Sequence, residues 1–439
     1  MDNVDTLIHA RWIIPVEPEG AAYEHHSLAA DSGRIVAILP RQEAQQRFSA
    51  DSVHDLDRHA LIPGLINTHT HAAMTLMRGL ADDLPLMEWL TKHIWPAEQK
   101  WVNEEFVHDG TQLAVAEMLR GGTTCFNDMY FYPEVTARVV SAAGMRATVG
   151  LIVLDFPSAW AADADEYLSK GLQLHDEYRS DPLVRTAFAP HAPYTVSDGP
   201  LGRIQTYCNE LEIPVHMHVH ETRHEIDESM AQAGVRPLQR LADLGLVSPY
   251  LLAAHMTQLT DDEIAQLAAS GAHVAHCPES NLKLASGFCP VQRLLEAGVN
   301  VALGTDGTAS NNDLDMLGEM RTAALLAKAV AGDAGALPAA QALRMATLNG
   351  ARALGIDDVT GSLLPGKAAD VVALDLDSIE SQPIYHPLSQ LVYATGRERV
   401  TDVWVNGRHV LSQRQLTTLD EHDVLQRTRQ WQERIRRYS

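Results

Sequence analysis

The sequence predicts an α/β protein: a (β/α)8 TIM barrel with a small β-sandwich module built from both chain ends. Three observations lead there. Short apolar runs alternate with helix-like segments from about residue 61 to 360, polar residues collect at the C-terminal ends of those runs, and both flanks are β-like.

Residues 1–60 read as short strands and turns, in "TLIHARWIIPV", "SLAADSGRIVAIL" and "ADSVHDLDRHALIPG". The barrel, 61–360, is read from "ALIPGLINTH", "TTCFNDM", "RATVGLIV", "VRTAFAPHA", "IPVHMHVHE", "LLAAHM", "HVAHCPES" and "VALGTDG". Helix-like segments such as "DDEIAQLAAS" and "VQRLLEAG" follow these runs, the pattern of parallel βα units. Residues 361–415 return to β texture in "GSLLPGKAADVVALDL" and "RVTDVWVNGRHVLS", and 416–439 hold a charged amphipathic helix. Neither flank is large enough to bury a core alone, so the two are expected to form one module.

Composition narrows the function. The 439 residues are 46% hydrophobic and 21% charged, as in an ordinary globular protein. Formal net charge is −23, so a polyanion is repelled and no nucleic-acid partner is expected. No apolar run approaches the roughly 20 residues that span a bilayer, and "MDNVDTLIHARW" lacks the start of a signal peptide. The expectation is a cytoplasmic protein with no membrane partner. Cys125, Cys208, Cys277 and Cys289 lie far apart without a C-x-x-C pair, which argues against disulfides and thiolate zinc sites.

The 21 histidines point to chemistry. In a strand, His69 and His71 of "INTHTH" face the same way, as do His216, His218 and His220 of "HMHVH". Asp128, His191, His255, His276 and Asp306 end other candidate strands. Three imidazoles and a carboxylate, with a position left for water, suit Zn²⁺ or a similar ion. Alternation alone leaves open which histidine of "HMHVH" would bind.

"PGLINTHTH", "HMHVHET", "LAAHM" and "GTDG", in this order, resemble the amidohydrolase superfamily, in its branch of aromatic deaminases and chlorohydrolases. The resemblance runs over essentially the whole chain. It implies one divalent metal ion, Zn²⁺ before Fe²⁺ or Mn²⁺, held by His69, His71, His218 and Asp306. The family pattern H-x-x-E selects His218 with Glu221, leaving His216 deeper in the barrel and His220 nearer solvent. Two-metal members carry a carboxylated lysine at the fourth strand; "LVRTAFAPHAPYT" has none, which implies a single ion. The resemblance assigns catalysis to Glu221, His255 and Asp306: Asp306 accepts the proton of the attacking water, Glu221 protonates the ring nitrogen, and His255 steadies the attacking oxygen. The cysteine motif of the other zinc deaminase architecture is absent.

"MEWLTKHIWPAEQ" and "APHAPYTVS" further resemble the 5'-methylthioadenosine/S-adenosylhomocysteine deaminase family. That implies a small-molecule nucleoside substrate, with Glu98 on the ribose hydroxyls, His191 on the nucleoside, and Glu221 shared between binding and catalysis. Some members carry an arginine after "GMRA" for a homocysteine carboxylate; here Gly150 occupies that neighbourhood. Ser280, Asn281 and Lys283 are expected either to line the pocket or to order their loop, and Asp82 and Asp83 likewise. Met74, Met77, Met87, Trp89 and Trp95 are candidates for an apolar wall. Alternatives on the same scaffold are a guanine-type base deaminase and an s-triazine hydrolase; a noncatalytic scaffold is a remoter one. A homo-oligomer is compatible with the sequence.

Overall fold

The computed structural model describes residues 1–437. Its strands are β1 (Asp2–Ile13), β2 (Tyr23–Asp31), β3 (Arg34–Pro40), β4 (Phe48–Pro63), β5 (Leu65–Thr70), β6 (Thr123–Asp128), β7 (Arg146–Val153), β8 (Val184–Pro190), β9 (Val215–Val219), β10 (Leu251–His255), β11 (His273–His276), β12 (Asn300–Leu303), β13 (Val371–Asp375), β14 (Val400–Val405), β15 (Arg408–Ser412) and β16 (Gln415–Leu416). They form two eight-stranded sheets.

Strands β5 to β12 pair in sequence order, all parallel, as the barrel. Every residue of β5, β6 and β7 is buried, so none of these strands alternates between a solvent face and a core face; the polar residues of β5 and β6 are enclosed with the rest. Side chains close the seam between the last strand and the first. Asn67 Nδ2 donates to Thr305 Oγ1 at 2.7 Å, Thr305 N–H donates back to Asn67 Oδ1 at 3.0 Å, and Thr68 Oγ1 donates to the Leu303 carbonyl at 2.8 Å. A Cβ at Gly304 would stand 2.8 Å from the His69 Cβ, so only glycine lets the chain pass this closely.

The other sheet runs β16-β15-β14-β13-β4-β1-β2-β3, joining both chain ends. Its ladder is continuous, yet it curls on itself: the Ile35 N–H donates to the Lys367 carbonyl at 2.9 Å, and Ile8, Leu28, Ile35, Leu61, Val371 and Trp404 share one buried cluster. The sandwich interior is therefore made by a single folded-over sheet. The apolar run "ALIPGLINTH" is two strands, not one. Its first half ends β4 in the curled sheet, its second half is β5, and the division falls at Gly64, where a Cβ would lie 1.8 Å from Thr124 Oγ1.

Residues 86–101 form an almost unbroken helical segment with a π turn at Leu90–Ile94, closed by the Trp95 N–H on the Leu90 carbonyl. Pro96 follows at once. A proline has no N–H and collides with the carbonyl four residues back in a regular helix, so the wider turn accommodates it.

The helix Glu421–Arg436 packs on the helix Glu104–Arg120. Trp431 Nε1 donates to Asp109 Oδ2 at 2.9 Å, Arg427 donates to Oδ1 at 3.1 Å, and the indole meets Phe106 edge-on. Tyr438 and Ser439, expected in this helix, lie outside the described residues. Trp431→Ala should cost about 3–5 kcal/mol, because it opens a buried void and strips a donor from a buried carboxylate. Urea unfolding should show a lower midpoint, and an unchanged midpoint would contradict the packing role.

All four cysteines are buried and free. Among the described residues, no helix is long and apolar enough to cross a membrane.

Candidate metal centre

Two strand ends and one loop at the C-terminal end of the barrel deliver the polar groups. His69 and His71 lie at the end of β5, His218 projects from β9, and Asp306 sits in the loop beyond β12. One donor atom from each falls within 4.8 Å of every other. Asp306 Oδ1 is 3.3 Å from His69 Nε2 and 3.1 Å from His71 Nε2, and His218 Nε2 is 3.3 Å from His71 Nε2.

Second hydrogen bonds orient the rings. Nδ1–H of His71 donates to the Met129 carbonyl at 2.7 Å, and Nδ1–H of His218 donates to the His191 carbonyl at 2.6 Å. A carbonyl only accepts, so both rings carry their proton on Nδ1 and present a bare Nε2 lone pair. His69 Nδ1 is 2.7 Å from His216 Nε2, and His69 Nε2 has no hydrogen-bond partner although the ring is wholly buried. Lone pairs converging on one point repel each other unless a cation lies between them. The donor set thus fits a divalent ion, with the outer partners that commonly hold ligating histidines.

With no cation between them, the Asp306 carboxylate instead favours a second proton on His71, at Nε2, which an incoming ion would displace. Burial opposes charge on His71, yet the Asp306 carboxylate outweighs it and raises the imidazole to about 9. Burial likewise opposes charge on Asp306, but His69 and His71 hold it well below the usual carboxylate range. The second oxygen of Asp306, Oδ2, accepts from Ser280 Oγ at 2.7 Å and Ser310 Oγ at 2.8 Å.

Beside this cluster stand His255 and Glu221. His255 Nδ1–H donates to Asn281 Oδ1 at 2.8 Å, leaving a bare Nε2 at 3.9 Å from Glu221 Oε2. Burial raises the Glu221 carboxyl; Asp306 adds to the rise, while His255 and His71 oppose it. His220, His255 and Asp306 all have left-handed backbones, with φ of 54°, 74° and 61°. Such conformations cost energy and gather at functional sites, where neighbours enforce them.

The left-handed turn corrects one expectation. His220 is fully buried rather than nearer solvent: β9 ends at Val219, alternation stops, and the ring swings to accept the Leu238 N–H on Nε2 at 3.1 Å. His216 lies beside His69 as described. His276 is buried with both ring nitrogens unpartnered among the described residues, and Asp128 caps the turn after His71 through the Ala72 N–H at 2.7 Å.

Above the cluster opens a cavity of about 700 Å³, walled by Met74, Trp89, Trp95, Phe131, Leu154 and Phe156. Met77 and Met87 are not part of that wall; Met77 is buried behind it. Glu98 and His191 line the cavity. Burial pushes Glu98 up to about 7 against smaller pulls from Tyr130 and His71, and pushes His191 down to about 3 with help from His71 and His69. No lysine or arginine lines the cavity among the described residues. Position 150 could not carry one: a Cβ there would lie 2.3 Å from the Asp128 carbonyl oxygen. The residues expected in a loop, Ser280, Asn281 and Lys283, form a short helix, Pro278–Lys283, after β11; Ser280 and Asn281 touch Asp306 and His255, while Lys283 pairs with Asp82 at 2.5 Å and with Asn312. Asp82 orders loops, and Asp83 is an exposed turn residue.

Sequence reasoning overlooked Ser310, Tyr130, Phe131, Phe156 and Tyr194. Only "GTDGTAS" offered a signal, a hydroxyl four residues beyond Asp306.

Comparison with known proteins follows the same lines. The amidohydrolase family pattern matches residues 60–410. The chain is 53% identical to a 5-methylthioadenosine/S-adenosylhomocysteine deaminase of Saccharophagus degradans over 431 residues, covering 98% of this chain and 97% of that one. It is 52% identical to a protein of the same name from Teredinibacter turnerae, covering 99% and 98%. Among solved structures, it superposes with TM-score 0.98 on an adenosine deaminase from Xanthomonas campestris with bound zinc, at 55% identity and 99% coverage of both chains. An atrazine chlorohydrolase from Arthrobacter aurescens shares the fold, with TM-score 0.91 at 23% identity, covering 97% of this chain and 99% of that one.

Proposed function

The chain belongs to the amidohydrolase family and is a hydrolase of C–N bonds, and from that premise we propose that its cavity deaminates adenine nucleosides. The substrates are 5'-methylthioadenosine, adenosine and S-adenosylhomocysteine, each converted to its inosine analogue with release of ammonia. The observation that carries this reading is the meeting, in one cavity, of a histidine–aspartate group able to hold a metal ion and a buried carboxyl, Glu221, whose protonation burial favours. We assign Zn²⁺ to His69, His71, His218 and Asp306; the similar Xanthomonas deaminase holds zinc.

When bound, the ion supplies Lewis acidity that makes a water nucleophilic near neutral pH. Asp306, anchored on Oδ2 by Ser280 and Ser310, would accept a proton from a water attacking the amino-bearing ring carbon. Glu221 would donate a proton to the neighbouring ring nitrogen, so that negative charge does not build on the heterocycle, and would regain one from the hydroxyl of the adduct as Asp306 passes its proton to the amino group, which leaves as ammonia. His255, its tautomer set by Asn281, steadies the attacking oxygen. The apolar walls exclude bulk water, and His191 orients the nucleoside.

Initial rates of ammonia release decide the assignment. Methylthioadenosine and adenosine should outpace guanine and an aminotriazine; preference for either of the latter would overturn it. S-adenosylhomocysteine should trail methylthioadenosine, because among the described residues no lysine or arginine lines the cavity to meet a carboxylate.

Glu98 is the proposed ribose contact. Glu98→Ala should raise KM for nucleosides about 10- to 100-fold, the worth of hydrogen bonds to a charged group, with kcat little changed. The carboxylate accepts both hydroxyls only when ionised, so wild-type KM should fall as pH rises through about 7 and the variant should lose that dependence. An unchanged KM in the variant would remove the ribose contact.

A further inference from the structure

The turn that carries Glu221 is held at all four of its backbone polar groups. Glu225 accepts the His220 N–H on one oxygen at 3.1 Å and the Glu221 N–H on the other at 2.8 Å. From the opposite side, the Thr257 N–H donates to the His220 carbonyl at 3.0 Å and its Oγ1 donates to the Glu221 carbonyl at 2.7 Å. Both clamping residues are buried, and the clamped turn includes the left-handed His220. A burial-disfavoured carboxylate whose two oxygens both go to successive amides is a costly way to close a turn. Glu225 stands in the first turn of the helix Arg223–Ala233, which Thr222 already caps through the Glu225 N–H. The helix start therefore does not require the carboxylate.

We propose that Glu225 and Thr257 are positioning residues that fix the backbone of Glu221 so that its carboxyl faces the ring nitrogen. The proposal rests on Glu221 as the proton donor. Glutamine at 225 would set an NH2 against an amide N–H, and valine at 257 keeps the shape while deleting the hydroxyl donor. Placement errors near 1 Å in a reacting group cost about 10²-fold in rate.

The test uses the zinc-loaded full chain with Glu225→Gln, Thr257→Val, Glu221→Gln and the double variant Glu221→Gln/Glu225→Gln. With methylthioadenosine, Glu225→Gln should lower kcat about 10²-fold with KM and zinc content close to wild type. The double variant should be no slower than Glu221→Gln alone, since Glu225 acts through Glu221. Amide exchange at residues 220 and 221 should quicken in both Glu225→Gln and Thr257→Val. An unchanged kcat, loss of zinc in parallel with activity, or multiplicative losses in the double variant would overturn the proposal. If Glu225→Gln does not fold, Thr257→Val carries the same predictions alone. Exchange is read without substrate, so slow amides at 220 and 221 in both variants refute the clamp even if wild type deaminates no nucleoside, the separate failure of the functional reading.

Discussion

Glu221→Gln is expected to keep its zinc and lose about 10²- to 10⁴-fold in kcat, the usual contribution of a positioned general acid. The amide has nearly the shape of the acid and can still donate a hydrogen bond, but it cannot give up a proton. Binding should change little, and the loss should fall on kcat rather than KM. The prediction follows from the environment: burial raises the Glu221 carboxyl, so the side chain stays protonated more readily than an exposed glutamate. Steady-state kinetics with metal analysis on the same sample checks it. Equal loss of metal and rate would make Glu221 part of the ion's cradle instead of a proton donor, and a near-wild-type kcat would remove it from the chemistry.

His218→Ala is expected to abolish turnover by removing metal. The ring offers Nε2 because the His191 carbonyl takes the proton of Nδ1, and no other side chain in the donor group can replace that lone pair from the β9 side. Purified variant should contain well under one equivalent of zinc, and added zinc should restore little activity. Full occupancy with full activity would overturn the ligand assignment. Outcomes at His218 and Glu221 should differ in kind, since one side chain holds the ion and the other moves a proton.

Much of this arrangement was legible in the sequence because it lies along strands. His69, His71, His218 and Asp306 stand at or just beyond the ends of short strand-like segments, but Asp128, His220 and His276 stand in the same kind of place without joining the cluster, so position along a strand was not enough by itself. What resisted reading depends on backbone angles and on distant partners. His220 could not be turned away from the site without knowing its left-handed φ, and the break at Gly64 requires knowing that Thr124 lies against it. Ser310, Thr257 and Glu225 act through single hydrogen bonds or pairs of them, and a lone hydroxyl or a glutamate in the first turn of a helix looks the same whether it supports a site or only a loop.

The curled sheet has a consequence for synthesis. Strand β4 pairs with β1 on one side and with β13 on the other. Until the ribosome has made residues 371–375, residues 59–63 of β4 keep an open edge, through the whole period in which the barrel is being translated. Chains truncated before β13 should therefore aggregate more readily than the full chain, which light scattering would show.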